Sequence, residues 1–214
     1  MSKALSPLNI FIVGPSCTGK TTLCNALSKK LGLNNALFIK EVARSVMREQ
    51  GYTRADVGNI EMQKAIMTAQ LEREDGALSE AERLAGHIIL SDRSGIDPII
   101  YATLTARNEN EGQQHKNQLM RLPIFQKALS KYRQSIFVLL APVEEWLVDD
   151  GVRSLDDSAQ CVETFRRTLD ELGIKYYEIG RETMDLIARV TAMMEIVGTR
   201  YTILDMWYGS EQIY

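Results

Sequence analysis

Two spacings of apolar residues alternate along the chain. Asn9, Ile10, Phe11, Ile12 and Val13 form a short β-branched and aromatic run closed by Gly14, which predicts a buried strand. Leu23, Ala26, Leu27 and Leu31 then recur at helical spacing, and Gly32 supplies a stop. The alternation repeats. Residues 36–39 read as a second strand, and Val42, Val46 and Met47 mark a helical face that Gly51 ends. Thr53-Arg54-Ala55-Asp56 is a capping signal ahead of a proline-free stretch to about Leu84. There Ile60, Met67, Leu71 and Leu78 predict one long helix, bent near Gly76. Gln63 lies off that stripe and suits a pocket wall or a solvated face equally.

An apolar strand follows at residues 87–90 and runs into Ser91-Asp92-Arg93-Ser94. Asp97 and Pro98 predict a helix start, with Asp97 as the cap and Pro98 in the first turn. Residues 107–116 are polar and aperiodic and predict a mobile surface loop. A helix over 119–132, a strand over 135–140, a helix over 157–172, a strand over 175–179 and a helix over 184–199 complete the pattern. The last helix is expected to turn Leu186, Ile187, Val190, Met194 and Val197 inward. The aromatic tail, 200–214, fits a packing strand, a turn or a partner contact. No repeat or linker divides the chain, so one domain over residues 1–214 is expected.

The chemistry is densest at Gly14-Pro15-Ser16-Cys17-Thr18-Gly19-Lys20-Thr21-Thr22, which fits G-x-x-x-x-G-K-[ST], the Walker A phosphate loop. Strand, glycine-rich loop and helix come in the required order. Glycines at 14 and 19 allow a tight turn, so the N–H groups of residues 16 to 22 and the positive helix end face an anion. Lys20 would reach the β- and γ-phosphates of ATP or GTP, and the Thr21 hydroxyl would sit on Mg²⁺. Asp92, ending a strand, fits a Walker B residue that holds Mg²⁺ or takes a proton from a hydroxyl; a turn or cap residue is the plainer reading. Arg93 follows at once, suited to neutralising phosphate charge. Glu41 and Arg44, just past the second strand, suit either ligand contact or an exposed salt bridge. Trp146 suits stacking on a ring or anchoring the core. Arg153, between a strand end and a helix carrying Arg166 and Arg167, suits a lid arginine or an exposed turn. The loop at 180–183 is placed to pack on a nucleobase.

Composition narrows the partners. A net charge of −3 gives no general attraction to nucleic acid or an anionic membrane. No run approaches the ~18 apolar residues of a membrane span, and the first seven residues lack a signal core. Three cysteines without metal spacing suit a reducing, cytoplasmic setting. Cys17 lies where the local field would favour a thiolate, or is simply small enough to fit.

Three stretches together resemble the NadR-type P-loop kinase domain, which phosphorylates ribosylnicotinamide: residues 14–22, then Glu41-Val42-Ala43-Arg44, then Trp146 with Asp149-Asp150-Gly151-Val152-Arg153. The resemblance runs from about residue 9 to 180, within a wider group of kinase-like AAA proteins. It implies a three-layer α/β P-loop fold with a parallel sheet of about five strands, nucleoside or nucleotide kinase-like, with a helical lid at about 142–172. It implies Lys20 and Thr21 on ATP-Mg, Arg153 in the lid, and Glu41, Arg44 and Trp146 around the acceptor. Asp92-Arg93-Ser94 departs toward the D-R and E-R-S motifs of nucleoside kinases and of eukaryotic members, some of which bind GTP and lipid. The expected function is a small-molecule kinase acting on a nucleoside-like alcohol; the alternative is a slow GTP or ATP switch acting through a protein or lipid. No guanine-reading N-K-x-D motif occurs. A mechanical ring ATPase is disfavoured by the short chain. The expected partners are a nucleotide and a small-molecule acceptor, with no nucleic acid and with a homodimer allowed.

Overall fold

Strand β1 (Leu8–Val13) is the middle of a five-stranded sheet, and the structure, a computed structural model, describes residues 6–143 and 155–209. On one side of β1 lies β3 (Ile88–Asp92), with β2 (Phe38–Ile39) at the edge. On the other lie β4 (Ile136–Leu140) and β5 (Tyr176–Ile179). Every pairing is parallel. The register sets Ile12 beside Asp92 and Val13 beside Leu139, so the carboxyl ends of the three central strands finish nearly level. That shared edge is where open α/β sheets bind ligands.

Successive side chains of β1 serve opposite faces, as a strand's period of two requires. Phe11 and Val13 join a core with Met67, Ile99, Phe125, Phe137, Phe165 and Leu169. Phe11 stacks on Phe137 at 4.8 Å, and Tyr132 meets both edge-on. Ile10 and Ile12 join the other core with Leu23, Leu27, Leu90, Val138, Met193 and Val197. Helices α3 (Ile60–Leu84), α4 (Asp97–Leu104), α6 (Pro123–Gln134) and α7 (Leu155–Glu171) thus cover one face. Helices α1 (Lys20–Lys30) and α8 (Leu186–Gly209) cover the other. A third apolar cluster, including Ile39, Val46, Met62, Ile66 and Ile89, seats α2 (Ala43–Gln50) on α3. The result is the expected three-layer α/β arrangement.

Several expected elements take another form. Residues 35–37 make a 3₁₀ turn because the Asn34 side chain accepts the Ala36 N–H at 2.9 Å, leaving β2 only two residues. The Thr53–Asp56 capping box closes a short 3₁₀ turn, and Asn59 caps α3, which continues through Gly76. Residues 107–116 are not a loop: α5 (Glu109–Met120) begins there, with Asn108 Oδ1 accepting the Glu111 N–H at 3.0 Å. Its Gly112 lies against α4, where an added Cβ would stand 2.9 Å from the Thr103 carbonyl oxygen. Lys116 is buried in a contact with Glu171. The single helix expected over 119–132 is therefore the end of α5 followed by α6, which Pro123 opens. Asp97 is the first helical residue and not the cap, a position held by Ile96. On α8, Arg189, Met193 and Val197 face inward, while Leu186 and Ile187 are exposed. Trp146 and Arg153 lie outside the described residues; of the expected lid, residues 142–143 and 155–172 are described, the latter beginning with α7. Among the described residues no helix is long and apolar enough to cross a membrane.

Candidate functional site

The phosphate loop is held open by backbone torsions that its sequence selects. Gly14 has φ 135°, and a Cβ there would come 2.5 Å from the Leu140 carbonyl oxygen, so β1 can leave the sheet only through glycine. Cys17 (φ 63°) and Gly19 (φ 81°) flank Thr18 in left-handed conformations. Thr18 is fully buried, and its hydroxyl donates to the Pro15 carbonyl at 3.0 Å. Lys20 opens α1 and folds back over the loop, donating to the Pro15 carbonyl and, at 3.3 Å, to Thr18 Oγ1. Burial, reinforced by Arg93, lowers its pKa to about 8 against the opposing pull of Asp97, Asp92 and Glu41.

Asp92 ends β3 beside the loop, and Thr21 Oγ1 donates to its Oδ2 at 2.5 Å. Its other oxygen, Oδ1, is buried without a hydrogen-bond partner among the described residues. An orphaned carboxylate oxygen next to a hydroxyl suits a hard divalent cation such as Mg²⁺, which needs few protein ligands when phosphates supply the rest. No cluster of three His, Cys, Asp or Glu that could hold a metal occurs among the described residues.

Arg93 leaves the strand at φ 88°, its N–H bonded to the Ile12 carbonyl at 3.0 Å. The guanidinium reaches Glu41 Oε1 through Nε at 3.0 Å and Asp97 Oδ1 through Nη1 at 3.1 Å, and it lies 5.8 Å from the Tyr101 ring centroid. Burial opposes this charge, but Tyr101, Asp97 and Glu41 outweigh it and keep it cationic. Glu41 Oε2 also meets Arg44 Nε at 2.8 Å. The salt bridge of the plainer reading exists, with Arg44 largely exposed, and both residues line the cavity described below.

Asp97, Gln70 and Tyr101 belong to this site and were not singled out as site residues from sequence. Asp97 Oδ2 accepts the Ser94 N–H at 2.9 Å and the Ser94 hydroxyl at 3.1 Å, closing the turn after Arg93. Gln70 donates to Ser91 Oγ at 3.0 Å. The Tyr101 hydroxyl shares a 3.3 Å hydrogen bond with Ser16 Oγ. Behind the turn, Gly95 N–H donates to the Tyr132 hydroxyl at 2.8 Å, which donates to buried Glu74 at 2.9 Å. Burial raises the Glu74 pKa, with Lys131, Gln70 and Tyr132 opposing. The signals were present in sequence as polar residues on otherwise apolar helix faces.

Two cavities meet at the loop. One, about 620 Å³, runs from Ser16, Lys20 and Thr21 past Glu41, Arg93 and Asp97 to an apolar end at Met47, Val57, Met62, Ile66 and Tyr101. Gln63 also lines it, its amide tied to the Val57 carbonyl at 2.8 Å. The other, about 540 Å³, is lined by Cys17, Gly19, Thr22, Met184, Asp185, Leu186 and Arg189. Thr22, Cys17 and Gly19 line both. Arg166 and Arg167 belong to neither; they pair with Glu178 and Glu163.

The profile of an AAA domain family matches residues 9–185. A comparison with curated proteins gives no match. Among solved structures, a NadR protein in complex with NR superposes with a TM-score of 0.69 at 19% identity, covering 91% of this chain and 51% of that one. Deoxyadenosine kinase from M. mycoides with bound dATP gives 0.62 at 18% identity, covering 89% and 100%. Thymidylate kinase from Candida albicans gives 0.58 at 18%, covering 92% and 93%. The chain thus spans about half the length of the NadR chain and nearly all of the two kinases. From its first strand to the start of its last helix, the chain belongs to the AAA domain family, and it is built on the P-loop kinase fold.

Proposed function

We propose that this protein is a kinase that transfers the γ-phosphoryl group of ATP, bound as its Mg²⁺ complex, to a hydroxyl of a nucleoside-like acceptor. The observation that carries this reading is the first cavity: the phosphate loop, two cations and an open carboxylate share one end of it, and an apolar compartment fills the other. Residues 14 to 22 would hold the polyphosphate. Thr21 and Asp92 would hold Mg²⁺, which when bound neutralises charge on the phosphate oxygens. Lys20 and Arg93, joined by Arg153 from the lid, would oppose the charge on the transferred group, the main task in this reaction class.

The two carboxylates divide the remaining work. Asp92 is 1% exposed and already committed to Thr21, which suits the metal side. Glu41 keeps lone pairs after its two arginine contacts and opens on the cavity, which suits a general base. In the step, the acceptor oxygen bonds to the γ-phosphorus, the bond to the β–γ bridging oxygen breaks, ADP leaves, and the hydroxyl proton passes to Glu41. The apolar walls and Tyr101 suit a ring, and the NR and dATP of the structural neighbours support ring-bearing ligands on this fold. Arg44 and Trp146 would complete the acceptor side, and the second cavity would take the donor's base. On this reading residues 1–214 form one cytoplasmic kinase domain.

The test is a transfer assay. Protein, Mg²⁺ and ATP or GTP are incubated with a panel of nucleosides, including ribosylnicotinamide, and products are weighed by mass spectrometry. A product heavier by one phosphoryl group is expected, with Lys20→Ala lowering the rate by about 10²-fold or more. Unchanged turnover in Lys20→Ala overturns the proposal.

A further inference from the structure

Arg189 is the largest fully buried side chain of the described molecule, at 2% exposure, in the first turn of α8. Taking a guanidinium out of water is costly unless its N–H groups are matched. Here burial pulls its pKa down, against Glu182. Its geometry shows what the burial serves. Nη1 donates to the Thr18 carbonyl at 2.8 Å, across 171 positions of sequence, and Nε donates to the Thr183 carbonyl at 2.7 Å. One rigid plane therefore joins the phosphate loop to the loop before α8.

Thr18 is the residue between the two left-handed positions, Cys17 and Gly19. A trans peptide is planar, so the Thr18 carbonyl and the Gly19 N–H point in opposite directions. Holding the carbonyl toward Arg189 on α8 turns the Gly19 N–H away from α8. Charge-assisted bonds of this kind are about twice as strong as neutral ones and fix orientation as well. Thr183 precedes Met184 and Asp185, which with Arg189 itself line the second cavity.

We propose that Arg189 is a positioning residue for phosphate binding, setting the Thr18–Gly19 peptide from α8 and linking it to the wall of the second cavity. This rests on the nucleotide-binding reading above. The arginine touches no phosphate; it acts through the peptide it holds.

The experiment is calorimetric titration of the full chain with inorganic tripolyphosphate and with Mg²⁺·ATP. Arg189→Met is expected to weaken tripolyphosphate binding by about tenfold or more, as expected for loss of a charge-assisted bond. Arg189→Lys, which keeps the charge but has no rigid fork, should recover part of the loss. Met193→Ala lies on the same buried face of α8, within the apolar cluster that holds Leu23 and Leu27, and should lower the melting temperature while leaving affinity unchanged. Wild-type affinity in folded Arg189→Met overturns the inference. If that variant does not fold, wild-type affinity in Arg189→Lys overturns it, as does equal weakening in Met193→Ala. Wild-type protein that binds neither probe overturns the nucleotide reading and this inference with it.

Discussion

Lys20 sits where its own charge is disfavoured, and this has a measurable sign. Its pKa in the folded chain is about 8, against 10.5 for an ordinary lysine. Between those values the unfolded chain binds more protons, so this group's contribution to stability rises as pH climbs from 8 toward 10.5; below 8 the penalty is fully present. Ligand binding runs the other way, because a phosphate needs the cation. Affinity for Mg²⁺·ATP is expected to be level below about pH 8 and to fall by up to about tenfold per unit above it. Titrations across pH check this, and Lys20→Ala should lose the dependence. Glu41→Gln tests the base: kcat should fall by about 10²-fold or more while ATP affinity stays close to wild type. A variant that loses ATP affinity and keeps kcat would move Glu41 out of that role. The phosphate loop was legible in sequence because its residues are contiguous and their torsions local. Glu41, Arg93 and Asp97 were harder to group, since only the strand order brings the ends of β2 and β3 and the start of α4 together.

At the scale of elements, the errors of sequence reading share a cause. Helix α5 looked like a loop because its buried positions are Gly112, Lys116 and Leu119, of which only one is apolar. Helix α8 was rotated in expectation because apolar periodicity cannot anticipate a buried Arg189. In both, tertiary partners override composition: a carbonyl against a glycine, a glutamate against a lysine, two carbonyls against a guanidinium. Tyr132 shows the same logic inside the core. Its hydroxyl links Glu74 on α3 to the backbone of Gly95, two residues beyond Arg93. Tyr132→Phe keeps the ring packing but strands both partners, and should destabilise the fold by about 1–3 kcal/mol. Chemical denaturation measures this, and a loss well below that range would show that water replaces the hydroxyl.

For the whole molecule, the strand order was the least legible property of the chain; hydrophobic periodicity announces strands but not their neighbours. The parallel five-stranded sheet followed from resemblance, and the structure bears it out. A ligand that bridges loop and sheet should stabilise the whole. Mg²⁺·ATP at about a hundredfold its Kd is expected to add about 2.7 kcal/mol, seen as a higher melting temperature. Chelation with EDTA should remove most of that increment if Thr21 and Asp92 hold the ion. An unchanged increment would place the nucleotide's binding energy elsewhere.

The two cavities share only a few residues of the loop and draw their other walls from distant parts of the sequence, 41–101 for one and 184–189 for the other. On the proposed reading, preference for what is phosphorylated and preference for what supplies the phosphate are therefore written in separate blocks of the gene. Either block is free to drift, or to be exchanged by recombination, while the other keeps its specificity.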